Sequence, residues 1–163
     1  MLVTKRREAA MKEEQGLMII DSFRGEFDFL SNFYPSVIYV DGERYPTVEH
    51  AYQAAKTNDP WSKRMIRNAD TPAKAKALGK GVPLRSDWDD VKVKVMRSLL
   101  RKKFENPFMA PRLLETGDAR LIEGNTHGDV FWGVCRGQGE NVLGTLLEGL
   151  REELRLSQYE NEV

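Results

Sequence analysis

With 163 residues the chain has the length of one domain and enough material to bury a core without disulfide staples. Its 25 basic residues balance 25 acidic ones, so no net field draws it to nucleic acid or an anionic membrane, and any such binding needs a local patch. An apolar fraction of 40% beside 31% charge excludes a disordered chain, and the single cysteine, Cys135, excludes an internal disulfide and suits a reducing cytoplasm.

Residues 1–16 form a charged segment without the apolar centre of a signal peptide. Its helix-tolerant part, Thr4–Gln15, carries almost no apolar stripe and is free to fray, to dock weakly or to serve a partner interface. One domain is expected over 17–158. Leu17–Ile20 reads as a buried strand leading to a turn at Arg24-Gly25-Glu26. Val37–Val40 and Glu43–Tyr45 around Asp41-Gly42 read as a β-hairpin, since Asp-Gly tolerates the positive φ of a tight turn.

Pro46 stops the second strand, and Thr47 stands where the cap of a helix over Val48–Thr57 belongs. Trp61–Asn68 and Thr71–Gly79 read as short helices, the latter with Thr as cap and Pro72 at the first helical position. Trp88–Phe104 is the strongest helix. Val91, Val95, Leu99 and Leu100 make its apolar face, while Lys92, Lys94, Arg97, Arg101, Lys102 and Lys103 make the rest basic. A short helix through Leu113 and Leu114, open to interruption at Pro111, ends at Gly117. Leu121-Ile122 suggests a strand, Gly124–Asp129 a polar loop, Val130–Cys135 a second apolar run, and Arg136–Asn141 a glycine-bearing loop. Val142–Leu156 closes the chain as an amphipathic helix with Leu143, Leu146, Leu147, Leu150 and Leu154 inward. Short strands segregated among helices make the fold class α+β: several helices around a small set of short strands that includes a hairpin. No apolar run reaches membrane-spanning length, so no membrane partner is expected.

The stretch Phe29–Lys56 carries the chemistry. On a helix Glu49, Gln53 and Lys56 share one face, with Tyr52 beside them. A carboxylate in a first helical turn can act as a base, orient water or stabilise a developing cation; its ordinary use is helix capping. Glu49 and His50 are not a zinc signature, because His50 and His127 are the only histidines and lack the helical two-histidine spacing, so neither metal nor cofactor is expected. His50 reads as packed, and Cys135 as a small buried hydrophobe. Asp129 and Trp132 form a second cluster, an acid beside an indole that suits a planar heterocycle held by stacking and by the carboxylate or Asn125; the plain alternative is a turn aspartate and a core Trp. Trp88 is core or pocket wall. The loop RGQGEN evokes a phosphate loop but lacks the Lys-Ser/Thr pair.

Four blocks in order, FLSNFYPSVIYVDGERYPTVEHAYQAAK, LRSDWDDVKVKVMRSLLRKKF, EGNTHGDVFWGVC and GENVLGTLL, resemble the NADAR (YbiA-like) family over Phe27–Leu154. The resemblance implies a compact α+β domain that hydrolyses N-glycosidic bonds. The substrates it implies are phosphoribosylamino-pyrimidine intermediates of riboflavin synthesis or, in other branches, ADP-ribose attached to guanine. It gives Glu49, Trp88 and Asp129 catalytic positions and Asn32, Tyr52, Lys56 and Trp132 places in the pocket, to which Phe33 and Asn125 are added as substrate-binding candidates beside these blocks. Where one branch carries WGDG this chain has Trp132-Gly133-Val134-Cys135, which leaves the ADP-ribosyl branch open.

These residues suit the chemistry. Breaking a C–N glycosidic bond develops oxocarbenium character, which a fixed carboxylate such as Glu49 stabilises, while Asp129 can meet the departing base. Lys56 offers a second route, capturing the ring-opened sugar as a Schiff base. The partner expected is therefore a small nucleotide-like substrate, with an ADP-ribosylated nucleobase in nucleic acid as a third reading that only the basic helix supports. The reading from a different class is a non-catalytic ADP-ribose or nucleotide sensor. Oligomeric state is not legible.

Overall fold

A computed structural model describes residues 11–14 and 16–161. The described residues up to Ser31 and from Pro107 onward form one compact unit, and Asn32–Asn106 forms another. In the first, Met11–Glu14 (β1) pairs antiparallel with Leu17–Ile20 (β2), Met11 opposite Ile20 and Glu14 opposite Leu17. The helix-tolerant reading of 4–15 is thereby corrected where it is described, and the rest of that segment lies outside the described residues. Pairing with the apolar β2 overrides the helical preference of Lys and Glu, because strand formation depends on partners more than on intrinsic propensity. β2 is buried at Ile20 but exposes Leu17 and Met18, so it is only half the buried strand expected. The turn at Arg24–Glu26 winds on into a 3-10 helix over Gly25–Leu30 that buries Phe29 and Leu30.

The second unit starts with the hairpin. Ile38–Val40 (β3) and Glu43–Tyr45 (β4) pair around Asp41-Gly42, at φ 51° and 79°. Positive φ at both central residues is the turn that matches the twist of the flanking strands. Thr47 then caps Val48–Ala55 (α1), its hydroxyl accepting the His50 backbone N–H at 3.2 Å. Helix α1 packs against Pro60–Arg67 (α2), Pro72–Gly79 (α3) and Trp88–Phe104 (α4). Asp59 and Thr71 cap α2 and α3, with proline at the first helical position, where a missing N–H costs nothing. The buried face of α4 is Trp88, Met96, Leu99, Leu100, Lys103 and Phe104, rotated from the expected stripe, so Val91 and Val95 are only half-buried. Lys103, expected on the solvated basic side, is 1% exposed. Its ammonium lies 5.6 Å and 5.3 Å from the ring centroids of Tyr34 and Phe104, whose faces attract a cation.

Back in the first unit, Ala110–Leu114 (α5) holds Pro111 in its first turn and is not split by it. Arg120–Leu121 (β5) pairs parallel to β2, giving a three-stranded sheet ordered β1-β2-β5. Gly124–Asn125 (β6) and Val134–Cys135 (β7) form a short parallel pair before the closing helix, Val142–Asn161 (α6). Only the end of the apolar run Val130–Cys135 is therefore strand. The carbonyls of Val130, Gly133, Phe131 and Trp132 instead accept the N–H groups of Glu140, Asn141, Val142 and Leu143. Those amides at a helix start have no partner within the helix, and this loop supplies them. Leu143, Leu147 and Leu150 of α6 are buried as expected, and so is Arg151, which donates to the Thr116 hydroxyl and the Ala119 carbonyl. Helices and short strands are segregated, so the class is α+β. No helix of the described residues is long and apolar enough to cross a membrane.

Candidate active site

Glu49 sits in the first turn of α1 and is only 7% exposed. Two groups already serve the amides of that turn: the Asn32 carbonyl accepts the Glu49 N–H at 3.0 Å, and the Thr47 hydroxyl accepts that of His50. The plain use of an acid here, capping, is thus taken over by others. Instead the carboxylate is held from one turn below, where Gln53 Nε2 donates to Glu49 Oε1 at 2.7 Å. Burying a carboxylate is costly without such a partner, and a hydrogen bond to a charged acceptor is among the stronger kinds.

That donation also orients the Gln53 amide, sending Oε1 over the Cα of Gly79 on α3; the oxygen is buried and has no hydrogen-bond partner. A methyl group on Gly79 would overlap Gln53 Oε1, so Gly79, read from sequence as the helix stop, is a point of close approach between α3 and α1. Asn32 donates through Nδ2 to Met96 Sδ at 3.5 Å, a weak acceptor, and its Oδ1 is buried without a partner.

Around this pair lie the other residues of the stripe. The Tyr52 and Trp88 rings pack with centroids 5.2 Å apart and planes at 55°. Trp88 is 6% exposed, so it acts as a wall that fixes Tyr52. Lys56 Nζ lies 5.6 Å from the Tyr52 ring centroid. Its pKa falls below the ordinary lysine value, first because burial disfavours the ammonium; Lys76 and Lys80 push the same way, and Glu49 opposes them. The Lys56 carbonyl accepts the Arg85 N–H at 2.8 Å, which ties the loop before α4 to the end of α1. His50 is structural, Nδ1 paired with the Thr47 hydroxyl at 2.8 Å and Nε2 donating to the Ala69 carbonyl at 3.0 Å.

The first unit holds the second cluster. Asp129 Oδ1 accepts the backbone N–H groups of Phe131 at 3.2 Å and Trp132 at 2.9 Å. The Asp129 N–H donates to Asn125 Oδ1, and Asn125 Nδ2 donates to the Asp129 carbonyl and to Glu123 Oε2. Asp129 thus shapes its own turn through one oxygen, and no described residue donates to the other. Trp132 is half-buried, edge-on to Phe131 at 4.9 Å.

The second unit therefore brings Asn32, Glu49, Tyr52, Lys56 and Trp88 together, with Phe33 exposed at 39%, and the first unit gathers Asn125, Asp129 and Trp132. Sequence reasoning missed Glu123, whose carboxylate anchors Asn125. It also missed Asn141, a left-handed residue at φ 54° whose side chain bridges the Leu121 carbonyl and the Glu123 N–H. The Asn at the end of a glycine-rich loop, just before a helix, was the available signal. No group of three or more His, Cys, Asp or Glu among the described residues is placed to hold a metal ion.

The NADAR domain model matches residues 21–155. N-glycosidase YbiA of Escherichia coli is 41% identical over 135 residues, 80% of this chain and 84% of that protein. An N-glycosidase of Nostoc punctiforme is 42% identical over 132 residues, 77% of this chain and 84% of its own length. A riboflavin biosynthesis protein of Vibrio vulnificus is 43% identical over 131 residues, 78% of this chain but only 35% of that longer protein. The NMR structure of E. coli YbiA superimposes with a TM-score of 0.76 at 38% identity, covering 85% of this chain and 86% of that one. Family model, relatives and fold agree: the chain belongs to the NADAR family and is an enzyme of the N-glycosidase kind.

Proposed function

We propose that the chain hydrolyses the N-glycosidic C–N bond of a nucleotide-like ribosyl compound, with Glu49 as the group that stabilises the oxocarbenium-like transition state. The observation that carries this reading is a buried carboxylate that capping does not need and that Gln53 holds in one orientation. A fixed negative charge in a site shielded from water stabilises a developing cation more than the same charge in solvent does, and it needs no reorganisation as the bond breaks. The partnerless Asn32 Oδ1 suits a sugar hydroxyl, which would supply the donor it lacks.

Two substrate classes fit this reading. The name of the Vibrio relative supports a phosphoribosylamino-pyrimidine of riboflavin synthesis, and the family resemblance alone supports ADP-ribosylated guanine. Either releases free base and a reducing sugar in equal amounts, which chromatography with a reducing-sugar assay measures.

A second route is favoured by one observation, the lowered pKa of Lys56. A neutral amine can attack the anomeric carbon and displace the base, which leaves with a proton; ring opening gives an imine between Lys56 and the sugar, and water hydrolyses it to release the sugar and the free amine. The neutral fraction grows as pH rises through the folded pKa, so borohydride trapping of an adduct on Lys56 is expected to increase from neutral to mildly alkaline pH. Mass spectrometry of the trapped protein, with Lys56→Met as control, decides between the routes. An adduct lost in the variant selects the imine; an unmodified protein under turnover selects direct attack by water.

A further inference from the structure

The same tight turn is built twice in this protein. At Asp41-Gly42 it has the expected residues, whereas at Arg136-Gly137 the φ angles are 52° and 76° and the first position is arginine. There Cys135 and Gln138 exchange both backbone hydrogen bonds, at 2.8 Å and 3.0 Å. Asn, Asp and Gly suit that first position because they tolerate the left-handed region; a long side chain with an ordinary Cβ is strained there. Backbone strain kept at a position where a better residue is readily available points to a use for the side chain.

The use is visible in the cavity beside the turn. Arg136 and Arg24 both line a cleft of about 450 Å³, together with Ser22, Asn125, Thr126 and Asp21. Neither arginine has an ion-pair partner among the described residues. Two guanidiniums against the single carboxylate of Asp21 leave the cleft with excess positive charge, and the hydroxyls of Ser22 and Thr126 add neutral donors. Planar guanidinium forks match phosphate oxygens better than lysine does, because each can donate two parallel hydrogen bonds.

We propose that this cleft is a phosphate-binding site, with Arg136 and Arg24 as the residues that recognise a phosphomonoester or pyrophosphate group. The RGQGEN loop, which lacks the lysine and hydroxyl pair of a P-loop, then serves phosphate by presenting Arg136 on a strained turn. The site rests on the proposed glycosidase reading only for the source of the anion, which is either the substrate's own phosphate or a separate phosphate-bearing ligand.

Calorimetric titration of the full chain with inorganic pyrophosphate tests the site without turnover. Saturable binding is expected, weakened at least tenfold in Arg136→Gly and in Arg24→Gln. Arg136→Gly relieves the positive φ, so its melting temperature should not fall, which separates lost binding from lost folding. No saturable binding, or binding equally tight in both variants, overturns the proposal whatever the enzyme does. The source follows from kinetics once binding is seen. A KM raised about tenfold in Arg136→Gly for a phosphorylated ribosyl substrate, but not for its dephosphorylated form, places the substrate's phosphate here. An unchanged KM for both, with pyrophosphate binding still dependent on Arg136, assigns the site to a separate anion.

Discussion

Glu49→Gln lowers turnover about a hundred- to a thousandfold, ~2.7–4 kcal/mol of transition-state stabilisation, while substrate still binds. The substitution keeps the shape of the side chain and an oxygen that can accept from Gln53 Nε2, so the hydrogen bond at 2.7 Å survives. What disappears is the charge. A neutral amide contributes little to an oxocarbenium ion, and an effect confined to the transition state appears in kcat with KM nearly unchanged. Burying a neutral amide in place of a carboxylate at a site that is 7% exposed lowers the desolvation cost, so the variant should remain folded. Steady-state kinetics beside a thermal melt checks both halves. Turnover within a factor of a few of the wild type would remove Glu49 from the mechanism.

Gly79→Ala is the second large effect, and its sign is opposite to the helix-propensity expectation. Gly79 ends α3 without a positive φ, so alanine there would ordinarily stabilise by up to about 1 kcal/mol. The added methyl, however, overlaps Gln53 Oε1 and comes within 2.8 Å and 3.0 Å of Gln53 Cδ and Cβ. Overpacking of this kind costs about 1–3 kcal/mol, and the contact with Cβ cannot be relieved by turning the amide away, so overpacking wins. The amide that does turn away leaves Glu49. Losing a hydrogen bond to a charged group costs about 1.5–3 kcal/mol, so kcat should drop tenfold or more although no residue that touches substrate has changed. In a Gln53→Ala background the stability cost of Gly79→Ala should shrink, because most of the overlapping side chain is gone. A full, additive cost in that background would show that the clash lies elsewhere.

Much of the second unit was legible because its signals are local. Asp41-Gly42 carries the turn chemistry in two residues, Thr47 and Thr71 cap helices by side-chain bonds three residues long, and the bounds Trp88–Phe104 stand as the sequence reads them. The stripe of Glu49, Gln53 and Lys56 follows from helical spacing, and its first pair is a hydrogen bond in the fold. What sequence did not show depends on partners distant along the chain. Met11–Glu14 becomes a strand because β2 is there to pair with it, not because its residues favour one. Val130–Gly133 is drawn out of strand geometry by the unsatisfied amides that open α6. Lys103 is buried with its ammonium beside the rings of Tyr34 and Phe104, which no count of charges along a helix reveals. Asn141 joins residues 18 and 20 positions away. The orientation of Gln53, and with it the reason for Gly79, likewise needs two helices in contact.

The most direct measurement is a product assay of wild type and Glu49→Gln on a phosphoribosylamino-pyrimidine and an ADP-ribosylated guanine side by side, with chromatography reporting free base and sugar. The account predicts that the wild type releases both products in equal amounts from one of the two compounds and that Glu49→Gln binds the same compound without releasing them. Binding by the wild type with no release from either compound would contradict it and make the chain a sensor of such ligands.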